Sequence, residues 1–321
     1  MSPRPANRHV YSEHLPYEEL TQQDVLSALA SRNITLAFAV TERLADGAAS
    51  VVRACRELGV SVAIWPLLEP SEGRWASGFH ARRFVTFARA LVADLADKRA
   101  LPSELVLDLE PPYDLVAPPR FASLRALAAR PREPDATEQF ARLLADARAL
   151  GLVTTLAAVP MVLADRDTRG FQTLLATPAL SLSADRVAVM AYTSLAEGYS
   201  AGAIHRADAR ALLAVTARAT EARLGARACL ALGTVDRGCL GDERPYRDVA
   251  ELTDDVAIAR AAGVDDLGLF SLCGIMKRPP IEPWLDAFVT TAPAVALPST
   301  PRARAIAAAA TVLSRVLALV T

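Results

Sequence analysis

The sequence predicts an α/β protein that folds as a (β/α)8 TIM barrel followed by an extra C-terminal helix. Eight short apolar runs alternate with segments of helical apolar spacing across residues 8–290. These runs are apolar on both faces, which is typical of parallel strands covered by helices. The chain has no GxGxxG or GxxxxGK[ST] turn, and this absence favours a closed barrel over an open nucleotide-binding sheet.

The first predicted strand is weak and is included because a closed barrel requires it. In order, the eight strands are predicted at His9–Glu13, Ile34–Val40, Val60–Leu67, Leu105–Glu110, Leu152–Val159, Arg186–Thr193, Ala228–Val235 and Leu267–Cys273. Helices are predicted at Glu18–Ser31, Ala45–Leu58, His80–Ala96, Ala136–Leu150, Thr168–Ala176, Asp208–Leu224, Val249–Ala262 and Ile281–Thr290. Glycines 59, 151 and 263 follow three of these helices, and glycine is the usual stop signal there.

The C-terminal part is predicted to form two further segments beyond the barrel of residues 8–290. Residues 291–301 are rich in proline, alanine and threonine and are interpreted as a linker. In residues 302–321, Arg304, Thr311 and Arg315 share one stripe at helical spacing, which predicts an amphipathic helix packed on the barrel or a partner. No membrane span is expected, because an arginine falls near the middle of a segment that is barely long enough.

The amino-acid composition limits the kinds of partner and cofactor that the chain is expected to bind. The 321 residues carry a formal net charge of −1 and are 52% hydrophobic, so no nucleic-acid partner is expected. The cysteines and histidines lack metal-site spacing, so neither a metal nor a cofactor is expected. The N-terminus has no apolar signal segment, which predicts a cytoplasmic location and leaves open export by another route or a C-terminal anchor. The sequence gives no indication of oligomeric state.

The strand ending in Asp108 and Glu110 is the strongest candidate for a functional site. Alternate residues of a strand share one face, so both acids should point the same way. Apolar residues before them indicate burial, and two prolines stop the strand directly afterwards. Close acids push each other's pKa values apart, which leaves one carboxyl group able to donate a proton near neutral pH.

On three strands the sequence resembles the glycoside hydrolase family 18 superfamily, the chitinase-like barrels. That family ends its fourth strand in Asp-x-Asp-x-Glu, and the fourth strand here ends Leu107-Asp108-Leu109-Glu110. Its sixth strand carries Met-x-Tyr-Asp, compared with Met190-Ala191-Tyr192-Thr193 here. Its eighth strand carries an aromatic residue before serine, compared with Phe270-Ser271. The chain departs from the family at Val106 and Thr193, where the family has aspartate.

The resemblance implies a role for each matching residue. Glu110 would be the general acid that protonates the glycosidic oxygen. Asp108 would orient and stabilise the 2-acetamido group of the substrate, which is the nucleophile in that family. Tyr192 would hydrogen-bond to the same group, and Met190 and Phe270 would line the floor of the sugar site.

Four further residues are candidates for substrate contacts. Trp65 stands at a strand end and Trp75 in the following loop, where an indole ring can stack on a sugar face; either could instead seal the top of the barrel. Glu42 follows the second strand and Asp236 the seventh, so either could be a second carboxylate. The alternatives for these acids are surface capping and pairing with Arg237.

The expected function is therefore a glycosidase that cleaves an N-acetylated or related glycan, with Glu110 as proton donor. One alternative is a carbohydrate-binding, lectin-like barrel without turnover. Another is a two-carboxylate glycosidase that pairs Glu110 with Glu42 or Asp236. A lyase or isomerase that uses the acids without a glycan is a further alternative.

Overall fold

A computed structural model describes residues 6–116, 124–291 and 295–320. Eight parallel strands close into a barrel in sequence order, with β1 paired to β8. This confirms the predicted (β/α)8 barrel. The strands are β1 (Arg8–Ser12), β2 (Thr35–Val40), β3 (Val62–Pro66), β4 (Glu104–Leu109), β5 (Val153–Ala158), β6 (Arg186–Met190), β7 (Ala228–Gly233) and β8 (Asp266–Phe270).

The helices cover the outside of the barrel and form several short turns at its carboxyl end. They are α1 (Tyr17–Leu20), α2 (Gln23–Ala30), α3 (Ala45–Glu57), α4 (Ala81–Asp97), α5 (Tyr113–Val116), α6 (Leu124–Ala129), α7 (Ala136–Ala149), α8 (Gly170–Leu175), α9 (Thr193–Gly198), α10 (Arg206–Leu224), α11 (Val249–Ala261), α12 (Leu272–Met276), α13 (Glu282–Val289) and α14 (Pro301–Val320). Residues 292–294 of the predicted linker and Thr321 lie outside the described residues.

The sixth strand ends earlier than the sequence predicts. β6 stops at Met190, and α9 begins at Thr193. The Thr193 hydroxyl donates a hydrogen bond to buried Asp255, which also accepts hydrogen bonds from Tyr246 and Arg206. This polar network turns the chain out of the sheet, a long-range effect that the apolar run of residues 186–193 does not reveal.

The hydrophobic core has two parts. The larger part lies between the sheet and the helices. The smaller part fills the inside of the barrel around Tyr11, Trp65 and Val106. Many interior positions are alanine or glycine, and Gly268 approaches the Tyr11 ring so closely that an added Cβ would lie 2.7 Å from it. Small interior residues let large aromatic rings enter the barrel and leave open volume above them.

A buried cluster of ionic groups fills the amino end of the barrel. Glu104 on β4 accepts hydrogen bonds from His9 and Arg186, each at 2.9 Å. Asp266 on β8 lies 3.4 Å from the same arginine. Burial alone would raise the pKa of Glu104, but the charges on His9 and Arg186 bring it below its ordinary value. This cluster therefore links strands β1, β4, β6 and β8 as matched charges.

Helix α14 packs on α8 and α10, over the part of the barrel that the short helix α8 leaves uncovered. Gly170 touches the α14 backbone, and a Cβ there would lie 2.1 Å from the Ser314 oxygen. The Ser314 hydroxyl donates a 2.6 Å hydrogen bond to buried Asp165. Among the described residues, no helix is long and apolar enough to cross a membrane.

The face of α14 that packs inward differs from the expected pattern. Arg304 and Arg315 are exposed, as the predicted polar stripe implies. Val312 and Val316 are also exposed, by 60% and 50%, whereas Ser314 is fully buried. The close approach at Gly170 requires small side chains on the inner face, so several larger apolar residues remain outside.

Candidate active site

A deep cavity of about 1350 Å³ opens at the carboxyl ends of the strands. Catalytic residues of this fold stand at that end, because the loops after the strands meet there. Seven of the nine site residues that the sequence predicts line this cavity. They are Trp65, Trp75, Asp108, Glu110, Met190, Tyr192 and Phe270.

Asp108 and Glu110 are held in place by the loop that follows β3. The Ala76 amide donates a 2.8 Å hydrogen bond to the Asp108 carbonyl, and the Glu110 amide donates a 3.2 Å bond to the Ala76 carbonyl. Ala76 thereby extends the sheet past the end of β3 as a bridge beside Leu109. The alternation of β4 points both acidic side chains into the barrel, and the backbone bonds fix where they stand.

The surroundings of the two carboxyl groups raise the pKa values of both. Burial raises the pKa of Asp108 to about 7, with the Glu13 carboxylate adding to the effect. Burial also raises the pKa of Glu110 well above its ordinary value, and the charges of Asp108 and Glu13 reinforce the rise. A hydrogen bond between the Asp108 and Glu110 carboxyl groups contributes to both values. The pair therefore retains a proton at neutral pH.

Glu13 and Arg74 form a buried ion pair beside these acids. The Arg74 Nε donates a 3.0 Å hydrogen bond to Glu13 Oε1, and a second guanidinium nitrogen contacts the same oxygen. Gly73 and Arg74 both have positive φ, of 106° and 63°. This reverses the chain and brings the arginine to Glu13, which lines the cavity. The sequence marks Glu13 only as a strand-end acid and gives no signal for Arg74, because the turn depends on the loop conformation.

Aromatic rings form one wall of the cavity. Tyr192 stacks on Phe270 with ring centroids 6.0 Å apart and planes 28° apart. Trp65 meets Phe270 edge-on at 6.4 Å and Tyr11 edge-on at 5.7 Å. Burial raises the pKa of Tyr192, and the nearby Asp108 and Glu110 charges raise it further. The tyrosine hydroxyl is thus a neutral hydrogen-bond donor at any ordinary pH.

The two tryptophans are both buried, each with 4% of its surface exposed. Trp75 packs against Tyr113 at 5.9 Å. Both rings line the cavity, so each ring packs in the barrel and also borders its open volume.

Two predicted carboxylates lie away from the cavity. The exposed Glu42 side chain forms a 2.8 Å ion pair with Arg83. Asp236 forms a 2.6 Å ion pair with Lys277. Each acid follows its strand as the sequence indicates, but the local chain directs it outward toward a basic partner.

Glu243 is a cavity residue that sequence analysis missed. It belongs to the loop after β7 and is 6% exposed. Its Oε1 accepts a 2.9 Å hydrogen bond from the Leu240 amide. The residue follows no strand directly, so only the three-dimensional course of the loop brings it to the site.

Three buried polar atoms around the cavity have no hydrogen-bond partner of normal geometry within residues 6–116, 124–291 and 295–320. They are Asp108 Oδ1, Trp65 Nε1 and Glu243 Oε2. Buried polar atoms are nearly always paired, so these atoms are suited to bind a polar ligand. In the same described ranges, no group of three or more histidine, cysteine, aspartate or glutamate side chains could hold a metal ion.

Comparison with known proteins identifies structural relatives only. No protein-family model and no curated protein sequence matches this chain. The glycoside hydrolase domain of PgaB from Bordetella bronchiseptica is 14% identical, with 90% of this chain and 100% of that domain covered at a TM-score of 0.53. A chitinase from Rhizomucor miehei is 16% identical, with 88% and 99% covered at 0.52.

A third similar structure is a GH5_18 protein from Bifidobacterium longum bound to Manβ1-4GlcNAc. It is 14% identical, with 92% of this chain and 80% of that protein covered at a TM-score of 0.51. At these identities the likeness establishes a shared barrel fold. It does not single out family 18.

Proposed function

We propose that this barrel is a glycoside hydrolase that cleaves an N-acetylated or related glycan, with Glu110 as the proton donor. The observation that carries the proposal is the Asp108–Glu110 pair in the cavity, whose pKa values are both raised. The glycosidic oxygen is a poor leaving group unless it is protonated as the bond breaks. A carboxylic acid that stays protonated at neutral pH supplies that proton.

Asp108 is proposed to act on the sugar whose bond to the glycosidic oxygen breaks. As the glycosidic bond breaks, positive charge develops on the sugar. In the substrate-assisted reaction that the family 18 resemblance implies, the oxygen of the 2-acetamido group attacks the anomeric carbon of the same sugar as the glycosidic bond breaks. The Asp108 carboxylate would hold the acetamido N–H and offset the positive charge, while the neutral Tyr192 hydroxyl would donate a hydrogen bond to the acetamido oxygen.

The aromatic wall supports a sugar ligand. Trp65, Trp75 and Phe270 present apolar ring surfaces to the cavity, and the C–H face of a sugar packs on such surfaces. Glu243 Oε2, which has no hydrogen-bond partner within the described residues, provides an acceptor for a hydroxyl group. Three structurally similar barrels are a glycoside hydrolase domain, a chitinase and a GH5_18 protein bound to a disaccharide.

A second candidate is a two-carboxylate glycosidase that uses Glu13 in place of the predicted Glu42 or Asp236. Glu13 lines the same cavity as Glu110, and its charge raises the pKa of both other acids. In this reaction Glu13 would be the nucleophile or the base that activates water. The Arg74 ion pair would hold its side chain in place.

The Glu110→Gln variant tests the proposal. Glutamine keeps the shape of the side chain but has no proton to transfer, so hydrolysis should fall by about 10²–10⁴-fold while glycan binding is retained. The assay is hydrolysis of 4-nitrophenyl glycosides of N-acetylglucosamine and of its oligomers, with a panel of other glycans. The matched control is Glu42→Gln on the surface, which should hydrolyse them at the normal rate.

Three results would change the assignment. Unchanged hydrolysis in Glu110→Gln would remove this residue from the reaction. Binding of a glycan without turnover by the unmodified chain would favour the lectin-like alternative. Hydrolysis of glycosides without an acetamido group, lost in Glu13→Gln, would favour the two-carboxylate reaction.

A further inference from the structure

The cavity does not end at the acids. It continues past β5 and β6 as an apolar groove between α10, α14 and the segment that follows β5. Its total volume of about 1350 Å³ exceeds the roughly 300–1,000 Å³ that is usual for a small-ligand site. The barrel mouth alone therefore does not account for the whole cavity.

The groove exists because helix α8 is short. A six-residue helix follows β5, and α14 covers the space beside it. The residues of α14 that line the groove include Ala307 and Ala310. Their small side chains leave open volume beside α10, although the two helices pack on each other.

Most of the groove wall is hydrocarbon. Leu212, Val215 and Ala219 of α10 follow one another at helical spacing on the groove side and are half-buried. Leu195 of α9 and Leu163 of the segment after β5 continue the same lining. The acids Glu13, Asp108, Glu110 and Glu243 lie at the barrel end. Two arginines, Arg166 and Arg223, also line the cavity, and a guanidinium nitrogen of Arg223 donates hydrogen bonds to the backbone carbonyls of Asp165 and Arg166.

We infer that this groove holds the apolar aglycone of the substrate, so that the substrate is a glycan joined to a long alkyl or acyl chain. The inference rests on the proposed function. Sugar hydroxyls or peptide groups placed along these walls would lose their hydrogen bonds to water without replacement. An alkyl chain has no such groups, and it gains from each methylene that leaves water.

The direction of the groove fits this substrate. One end meets Glu110, which would protonate the oxygen that joins sugar to chain. The outer side is bordered by Met161 and Ile306, which are 40% and 36% exposed. Large apolar side chains in contact with water at a groove entrance are suited to receive an apolar chain.

Alkyl-chain binding by the intact protein tests the inference. The first probes are methyl, butyl and octyl N-acetyl-β-D-glucosaminides, used below their micelle-forming concentrations. Each buried methylene should tighten binding by up to about fourfold, so the octyl glycoside should bind at least ~100-fold more tightly than the methyl glycoside. The second probe is a fluorescent dodecanoic acid, which reports chain binding without a sugar.

Two variants on α14 locate the site. Ala310→Phe fills the groove and should weaken dodecanoate binding at least ~10-fold and remove the dependence on chain length. Ala309→Phe adds the same ring to the neighbouring exposed position and should bind the chain like the unmodified protein. Unfolding temperatures show whether each variant is folded, and the chain-length series on the unmodified protein does not depend on either.

The possible outcomes distinguish a failure of the alkyl-chain site from a failure of the proposed glycosidase function. Equal affinity for all chain lengths, or equal effects of the two variants, would overturn the aglycone site even if glycosides are hydrolysed. Chain binding that only Ala310→Phe removes, without hydrolysis of any glycoside by the unmodified protein, would overturn the glycosidase and leave an apolar-chain site.

Discussion

The amino and carboxyl ends of the barrel both bury acidic side chains, and strand β4 supplies acids to each end. At the amino end, Glu104 is matched by His9 and Arg186, and its pKa is lowered despite burial. At the carboxyl end, Asp108, Glu110 and Glu13 crowd together beside Arg74, and the pKa values of Asp108 and Glu110 are raised mainly by burial. At the amino end, an acid paired with basic groups is ionised and supports the fold. At the carboxyl end, acids that outnumber their basic partners have raised pKa values and retain protons.

The largest expected effect on stability comes from Glu104→Gln. Removing this carboxylate leaves the buried His9 without its acidic partner and Arg186 with Asp266 alone, and it should reduce the free energy of unfolding by about 3–5 kcal/mol. Urea unfolding at pH 7 measures the loss. Glu110→Gln, at the opposite end of the same strand face, is the matched comparison and should cause no loss. Similar losses of unfolding free energy in both variants would show that the acids at the two ends contribute equally to stability.

The next effect is a gain in stability for Asp108→Asn at alkaline pH. Because the pKa of Asp108 is about 7 in the folded protein and about 4 in an unfolded chain, the folded state binds more protons between these values. The stability that protonated Asp108 contributes is therefore lost as the pH rises from about 4 to 7 and beyond. Asparagine avoids this loss.

Unfolding curves at several pH values measure this difference. We expect Asp108→Asn to exceed the original protein by on the order of 2–4 kcal/mol at pH 8 and to match it near pH 4. A constant difference at all pH values would mean that Asp108 is not held protonated.

The smallest expected effect is a shift in the pH dependence of hydrolysis in Arg74→Met. The Arg74 charge lowers the pKa of both Asp108 and Glu110, so its removal should raise both. In the proposed reaction Glu110 must be protonated, so hydrolysis should persist about one pH unit further into the alkaline range. The rate of glycoside hydrolysis as a function of pH measures this shift. An unchanged alkaline limit would show that Arg74 does not influence the proton donor.

The barrel was predictable because its signals are local. Apolar runs, helical spacing and glycine stops place the strands within a few residues of their observed limits. The weakest prediction was the first strand, where the structure has Arg8–Ser12. Its pattern is hidden in the sequence because Arg8 and His9 are polar residues buried by distant partners.

The site was predictable mainly where a strand directs the side chain. Asp108, Glu110 and Met190 follow the alternation of β4 and β6 into the cavity. Glu42, Asp236, Arg74 and Glu243 belong to loops, and their directions depend on ion pairs or turns formed with residues far away in the sequence. The groove beside α14 has no local signal, since it results from a short helix and alanines more than a hundred residues apart.

The most direct measurement of the central claim is a ¹³C NMR titration of the Asp108 and Glu110 carboxyl carbons, assigned with Asp108→Asn and Glu110→Gln. We expect Asp108 to titrate near pH 7 and Glu110 to remain protonated to a higher pH, as two coupled steps of one pair. Ionisation of both carboxyl groups below about pH 5, as in ordinary exposed acids, would contradict the account, because no proton would remain for a glycosidic oxygen at neutral pH.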